Sequence, residues 1–130
     1  MVDPKRNDLV YPELSYQIVG ALFTVYNKLG SGYQEKYYQK AVGSELRSLG
    51  LLYKEQVRLP LSYNQESLGS YYLDFLIDNK IVLELKKDER FSRRNIEQVY
   101  AYLKASNLKL GIIANFGKKE LQFKRILNIS

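Results

Sequence analysis

The chain has 130 residues, 45% hydrophobic and 26% charged, which is enough for one domain with a real core spanning residues 1–130. It has no cysteine and no histidine, which excludes disulfides, cysteine nucleophiles, Ser-His-Asp triads, histidine bases and structural zinc. Lys and Arg number 20 against 14 acidic residues, and the net charge of +6 suits either a polyanionic partner or plain solubility.

The first stretch, "MVDPKRNDLVYPEL", lacks the apolar centre of a signal peptide, and no run of about 18 apolar residues follows. A cytoplasmic protein without a membrane partner is the expectation. Residues 13–29 carry Ile18, Leu22, Val25 and Leu29 at helical spacing, flanked by Val19 and Tyr26. Pro12 suits the first turn of that helix and Gly30 its end. After the turn "SGY", a second helical stripe runs through Tyr38, Ala41, Val42, Leu46 and Leu49 to Gly50.

The period then changes. "LLYKEQVRLPLSYN" alternates as a strand does, and Pro60 marks it as an edge or a bulge. "SYYLDFLID" and "KIVLELKK" are stronger strands, joined by a polar turn around Asn79. "SRRNIEQVYAYLKAS" returns to a helical period with Ile96, Val99, Tyr100 and Leu103 apolar. "LKLGIIANF" is an apolar run of the kind buried in a central strand, and "ELQFKRILNI" alternates to the end. The predicted order is ααβββαββ.

With histidine and cysteine absent, any chemistry falls to carboxylates, lysine, tyrosine, hydroxyls or a hard metal ion bound by oxygen. Asp74 and the run Glu84-Leu85-Lys86 stand on the two strongest strands. Glu84 and Lys86 point to one face, Leu83 and Leu85 to the other. A three-residue turn, Asp78-Asn79-Lys80, sets Asp74 opposite Glu84, whereas a two-residue turn would set it opposite Leu85. The longer turn is favoured because it gathers Leu73, Phe75, Ile77, Leu83 and Leu85 on one apolar face. Two carboxylates and a lysine on a half-buried sheet then need a reason. A divalent cation held by Asp74 and Glu84, with Lys86 over a bound water, is one. A structural ion pair at a sheet end is the other. Gln98 and Tyr102, four apart on the next helix, share a face that packing could aim at the acidic end.

The ordered set Gly32-x-x-Glu35-x-x-Tyr38, Asp74, Glu84-Leu85-Lys86 and Gln98-x-x-x-Tyr102 resembles the GxxExxY protein family of the PD-(D/E)XK nuclease superfamily. "GIIANFG" and "FKRI" resemble the family's closing segments, so the likeness runs from about Leu14 to Ile126. Ser31 stands where many relatives have proline, and Tyr26 where they have histidine. The resemblance implies a restriction-endonuclease-like α/β core, a central mixed sheet flanked by helices. It implies a nuclease whose Asp74, Glu84 and Leu85 carbonyl bind Mg²⁺ or Mn²⁺, with Glu35 completing the site from the turn at Gly32. Lys86 would orient the attacking water and Gln98 would position that water or Lys86. Tyr38 would pack beneath Glu35, with Gly32 and Tyr102 in support. Lys87, Arg90, Arg93 and Arg94 would hold the backbone of a DNA or RNA substrate. The competing reading is an inactive nucleic-acid- or protein-binding module on the same fold; a homodimer stays open in either.

Overall fold

A computed structural model describes residues 10–129. The start of the leading segment, residues 1–9, lies outside the described residues. Helix α1 (Pro12–Leu29) begins on Pro12, has Glu13 in its first turn and Lys28 in its last, and stops at Gly30. Those charges complement the helix dipole. Its buried side is Ile18, Ala21, Leu22 and Val25. Helix α2 (Glu35–Ser48) follows a short turn and buries Tyr38, Val42 and Leu46. Leu49, expected in that stripe, is exposed because the helix ends just before it.

Five strands follow: β1 (Tyr53–Tyr63), β2 (Glu66–Ile77), β3 (Ile81–Lys86), β4 (Leu110–Phe116) and β5 (Leu121–Leu127), with α3 (Arg93–Ser106) between β3 and β4. They form one sheet in the order β1-β2-β3-β4-β5, antiparallel except for the β3–β4 pair. The parallel pair needs a crossover, and α3 is that connection. The sequence order ααβββαββ is the expected one. Among the described residues, no helix is long and apolar enough to cross a membrane.

Pro60 lies on the edge strand β1, and the register slips immediately after it between Leu61 and Ser62. The strand β2 starts four residues before the predicted run, since Asn64 and Gln65, both at positive φ, make a tight turn that lengthens the hairpin. On α3, Val99, Tyr102 and Leu103 are buried while Tyr100 is exposed. The apolar face is therefore centred on Tyr102, one step from the predicted stripe. The expected buried run is β4, every residue of which is buried.

Helices α1 and α2 cover one face of the sheet, over Phe75, Ile77, Leu83, Leu85, Ile112 and Phe116. Helix α3 covers the other, over Leu59, Leu73, Val82 and Ile113. It approaches closely at Gly111, where a Cβ would lie 2.8 Å from Val99 Cγ1. Only glycine admits α3 at that depth.

Candidate active site

The turn between β2 and β3 has three residues, Asp78 to Lys80, and pairs Phe75 with Leu83 and Ile77 with Ile81. Continuing that register sets Asp74 opposite Glu84, as the longer turn requires. One expectation fails. Leu73 packs with Leu59 and Val82 under α3, while Phe75 packs under α1 and α2. The strand changes face at Asp74 because the ladder breaks there. Glu55 pairs with Phe75 and Val57 with Leu73, but the intervening Gln56 and Asp74 are unpaired, and Gln56 adopts φ 48°. A left-handed residue in a strand turns the following side chains, so simple alternation does not cross it.

The break frees Asp74 to bond elsewhere. Its Oδ2 accepts a hydrogen bond of 2.8 Å from the Leu85 backbone N–H. Its carboxylate comes within hydrogen-bonding reach of Glu84. Glu84 is only 1% exposed, and its Oε1 has no hydrogen-bond partner. Burial pushes the Glu84 carboxyl up to about 9, with the Asp74 charge adding to the rise and Lys86 opposing it. Free of any cation, Glu84 holds its proton at neutral pH.

Glu35 reaches this end of the sheet from the other layer. Gly32 at φ 104° makes the turn, and Glu35 is the first residue of α2. Desolvation raises its carboxyl; Lys86 and Lys87 oppose the rise, and Asp74 and Asp88 add to it. Those neighbours place Glu35 beside the Asp74–Lys86 group. Among the described residues, however, no three acidic side chains converge as a ready-made cation cage. Tyr38 is fully buried; its hydroxyl donates to the Gly30 carbonyl at 2.6 Å and its ring stacks on Phe116 at 4.2 Å. Tyr26 also packs here, its hydroxyl donating to the Gly117 carbonyl at 2.6 Å.

On the α3 face, Tyr102 stacks on Tyr71 at 3.9 Å. Desolvation and the nearby Glu84 raise both phenols. The Gln98 amide lies within hydrogen-bonding reach of the Tyr102 hydroxyl, so Gln98 meets the acidic pair through this ring. Lys87, Arg90, Arg93 and Arg94 are all exposed in the segment after β3 and the first turn of α3. That turn is capped by Ser92, whose Oγ accepts from Asn95 N at 3.1 Å, and it contains no acidic residue.

Four residues near this end of the sheet went unnoticed in the sequence pattern. Tyr71 lies beyond the face change, and alternation gives no hint that it faces Glu84. Asn115 did leave a signal, as a lone amide in an apolar strand. It is buried opposite Lys86 and grips the chain at Asp88, accepting from Asp88 N at 2.7 Å and donating to Asp88 O at 2.8 Å. Lys118 and Lys119 line a cleft of about 390 Å³ with Glu89 and Gln122, beyond the same end of β4.

A profile of the PD-(D/E)XK nuclease superfamily matches residues 12–126, nearly the whole chain. The chain belongs to the PD-(D/E)XK nuclease superfamily. No curated protein and no solved structure matches it. Membership agrees with the five-stranded mixed sheet and flanking helices, which form a restriction-endonuclease-like α/β fold.

Proposed function

We propose that this PD-(D/E)XK chain, of the GxxExxY type, is a Mg²⁺- or Mn²⁺-dependent nuclease that hydrolyses phosphodiester bonds in DNA or RNA. The observation that carries the reading is Glu84 Oε1, buried, without a partner, beside the carboxylate of Asp74. A lone buried acid beside a second acid is destabilising unless something positive joins them. The donor set is all oxygen, which fits a hard divalent cation and not a soft one.

Asp74, Glu84 and the Leu85 carbonyl would hold that ion, and Glu35 would contribute through an intervening water. The bound ion would supply charge to the phosphate and acidify a water. Lys86 would orient the attacking water and steady the charge that develops on the phosphate. Gln98 and Tyr71 would act through Tyr102, fixing the wall against which Glu84 rests. The clamp of Asn115 on Asp88 would hold the backbone that follows Lys86. Arg93 and Arg94 sit at the positive end of α3, where basic side chains are disfavoured by about 0.3–1 kcal/mol each. A phosphate bound there would reverse that cost. Lys87 and Arg90 would extend the contact. The homodimer finds no support in the described residues.

The test is a cleavage assay on single- and double-stranded DNA and RNA, with protein stripped by chelator and resupplied with Mg²⁺ or Mn²⁺. Wild type is expected to cut at least one substrate, and Glu84→Gln to cut none. Failure of wild type on all four would overturn the nuclease reading in favour of a binding module.

A further inference from the structure

Four aromatic rings run outward from the end of β4 to solvent beside Glu35. Phe116 follows Asn115, the partner of Lys86 across the parallel ladder. Tyr38 stacks on Phe116 at 4.2 Å, Tyr33 meets Tyr38 edge-on at 5.9 Å, and Tyr37 meets Tyr33 edge-on at 6.4 Å. The inner rings are buried. Tyr33 and Tyr37 are 44% and 49% exposed. Among the described residues neither of their hydroxyls has a hydrogen-bond partner, so the polar ends contribute no tie to the fold. What Tyr33 does supply is its backbone N–H, which donates to the Tyr38 hydroxyl at 3.4 Å. The ring is not needed for that bond.

The surroundings are cationic. Lys36 Nζ lies 5.2 Å from the centre of the Tyr37 ring, and Lys40 is exposed one turn further along α2. Glu35, in the same turn, feels both Lys86 and Lys87. Exposed aromatic rings set on buried ones, among basic side chains, are what sequence-tolerant binding of single-stranded nucleic acid uses. Every base has a π-face to stack, and the lysines meet the phosphates on either side. A paired base has no free face to offer.

We propose that Tyr33 and Tyr37 form a stacking platform for an unpaired base near the scissile phosphate, so that the substrate is single-stranded or frayed at the site. This rests on the nuclease reading, and the test separates the two. Binding is measured by fluorescence anisotropy with labelled single-stranded and duplex oligonucleotides, in Ca²⁺ to hold them uncut. The variant Tyr33→Ala/Tyr37→Ala is expected to bind the single strand roughly tenfold or more weakly, as removal of one or two stacking rings does. Duplex binding should change by less than about twofold, because phosphate contacts do not use these rings. Tyr33→Phe/Tyr37→Phe keeps the rings and should keep the affinity. An abasic site moved along the single strand should reproduce the loss at one position with wild type, and add nothing further in the alanine variant.

The abasic series on wild type decides the matter if the alanine variant fails to fold. Equal losses on single strand and duplex, or no effect of an abasic site at any position, would overturn the platform and leave the nuclease reading standing. If wild type binds no nucleic acid at all, both fall.

Discussion

The two faces of the sheet are built differently. Beneath α1 and α2 the sheet presents Phe75, Ile77, Leu83, Leu85, Ile112 and Phe116, and the buried Tyr38 hydroxyl is satisfied by Gly30. Beneath α3 the apolar set is smaller, and it is interrupted by Glu84 with Tyr71 and Tyr102 against it. The thick face holds the register of the strands. The thin face, covered by one helix, encloses a buried carboxyl with two tyrosines against it. Leu85 and Glu84 are neighbours on one strand, so the core side chain on one face sets the position of the acid on the other. Most of the packing is built on one face and the buried acid on the other, with Glu35 reaching the site from the first.

That separation can be broken from the thick side first. Phe75→Ala should cost about 3–5 kcal/mol in urea denaturation, the range for truncating a fully buried ring. Activity per folded molecule should fall as well, since Phe75 pairs with Leu83 beside the acids. A much smaller cost would mean that the thick face is not what holds the strands.

Lys86→Ala probes the thin side. Cleavage should drop by about two orders of magnitude or more, as when a charge-stabilising group is deleted from a prepared site. Metal binding and most nucleic-acid affinity should persist, because the proposed ligands are untouched and many basic residues remain. Unchanged cleavage would assign the activity to another site or a contaminant.

A third comparison uses pH. Unfolded, Glu84 loses its proton near 4.5; folded and metal-free, it keeps it to about 9. Between those values the folded state binds more protons, so each rise in pH favours unfolding. The stabilising effect of the bound proton is complete below about 4.5 and is lost as pH passes through about 9. Glu35 shifts the same way. The Tm of chelator-treated protein should fall by roughly 5 °C or more between pH 5 and pH 9, and Glu84→Gln should flatten most of that slope. An equally steep slope in the variant would place the responsible group elsewhere.

The smallest effect is expected for Asp74→Asn without metal. The amide oxygen can still accept from the Leu85 N–H, and a negative charge beside the buried Glu84 carboxyl is removed. Stability should stay within about 0.5 kcal/mol of wild type or rise slightly. Added Mn²⁺ should then raise the Tm of wild type and not of the variant. Equal rises would show that the ion binds away from Asp74.

Much of this was legible in the residue pattern. Helical periods located α1, α2 and α3, and the three-residue turn put Asp74 in register with Glu84. Both signals are local, carried by residues a few positions apart and by the geometry of one turn. The misplacement of Tyr100 has the same origin: a helical stripe read from apolar character alone does not say which aromatic the sheet will cover.

Residue order and local periodicity set the elements, their succession and the absence of any histidine or cysteine chemistry. Which face each half of β2 serves came from the assembled sheet, because the break at Gln56 and Asp74 involves two strands at once. The packed fold likewise decided that Tyr71 lies against Glu84, that Asn115 anchors the chain after Lys86, and that Gln98 meets the acids through Tyr102. The protonation of Glu84 belongs with these. A carboxyl's charge depends on the solvent removed from around it and on charges brought near from distant parts of the chain, and neither is written in its immediate neighbours in sequence.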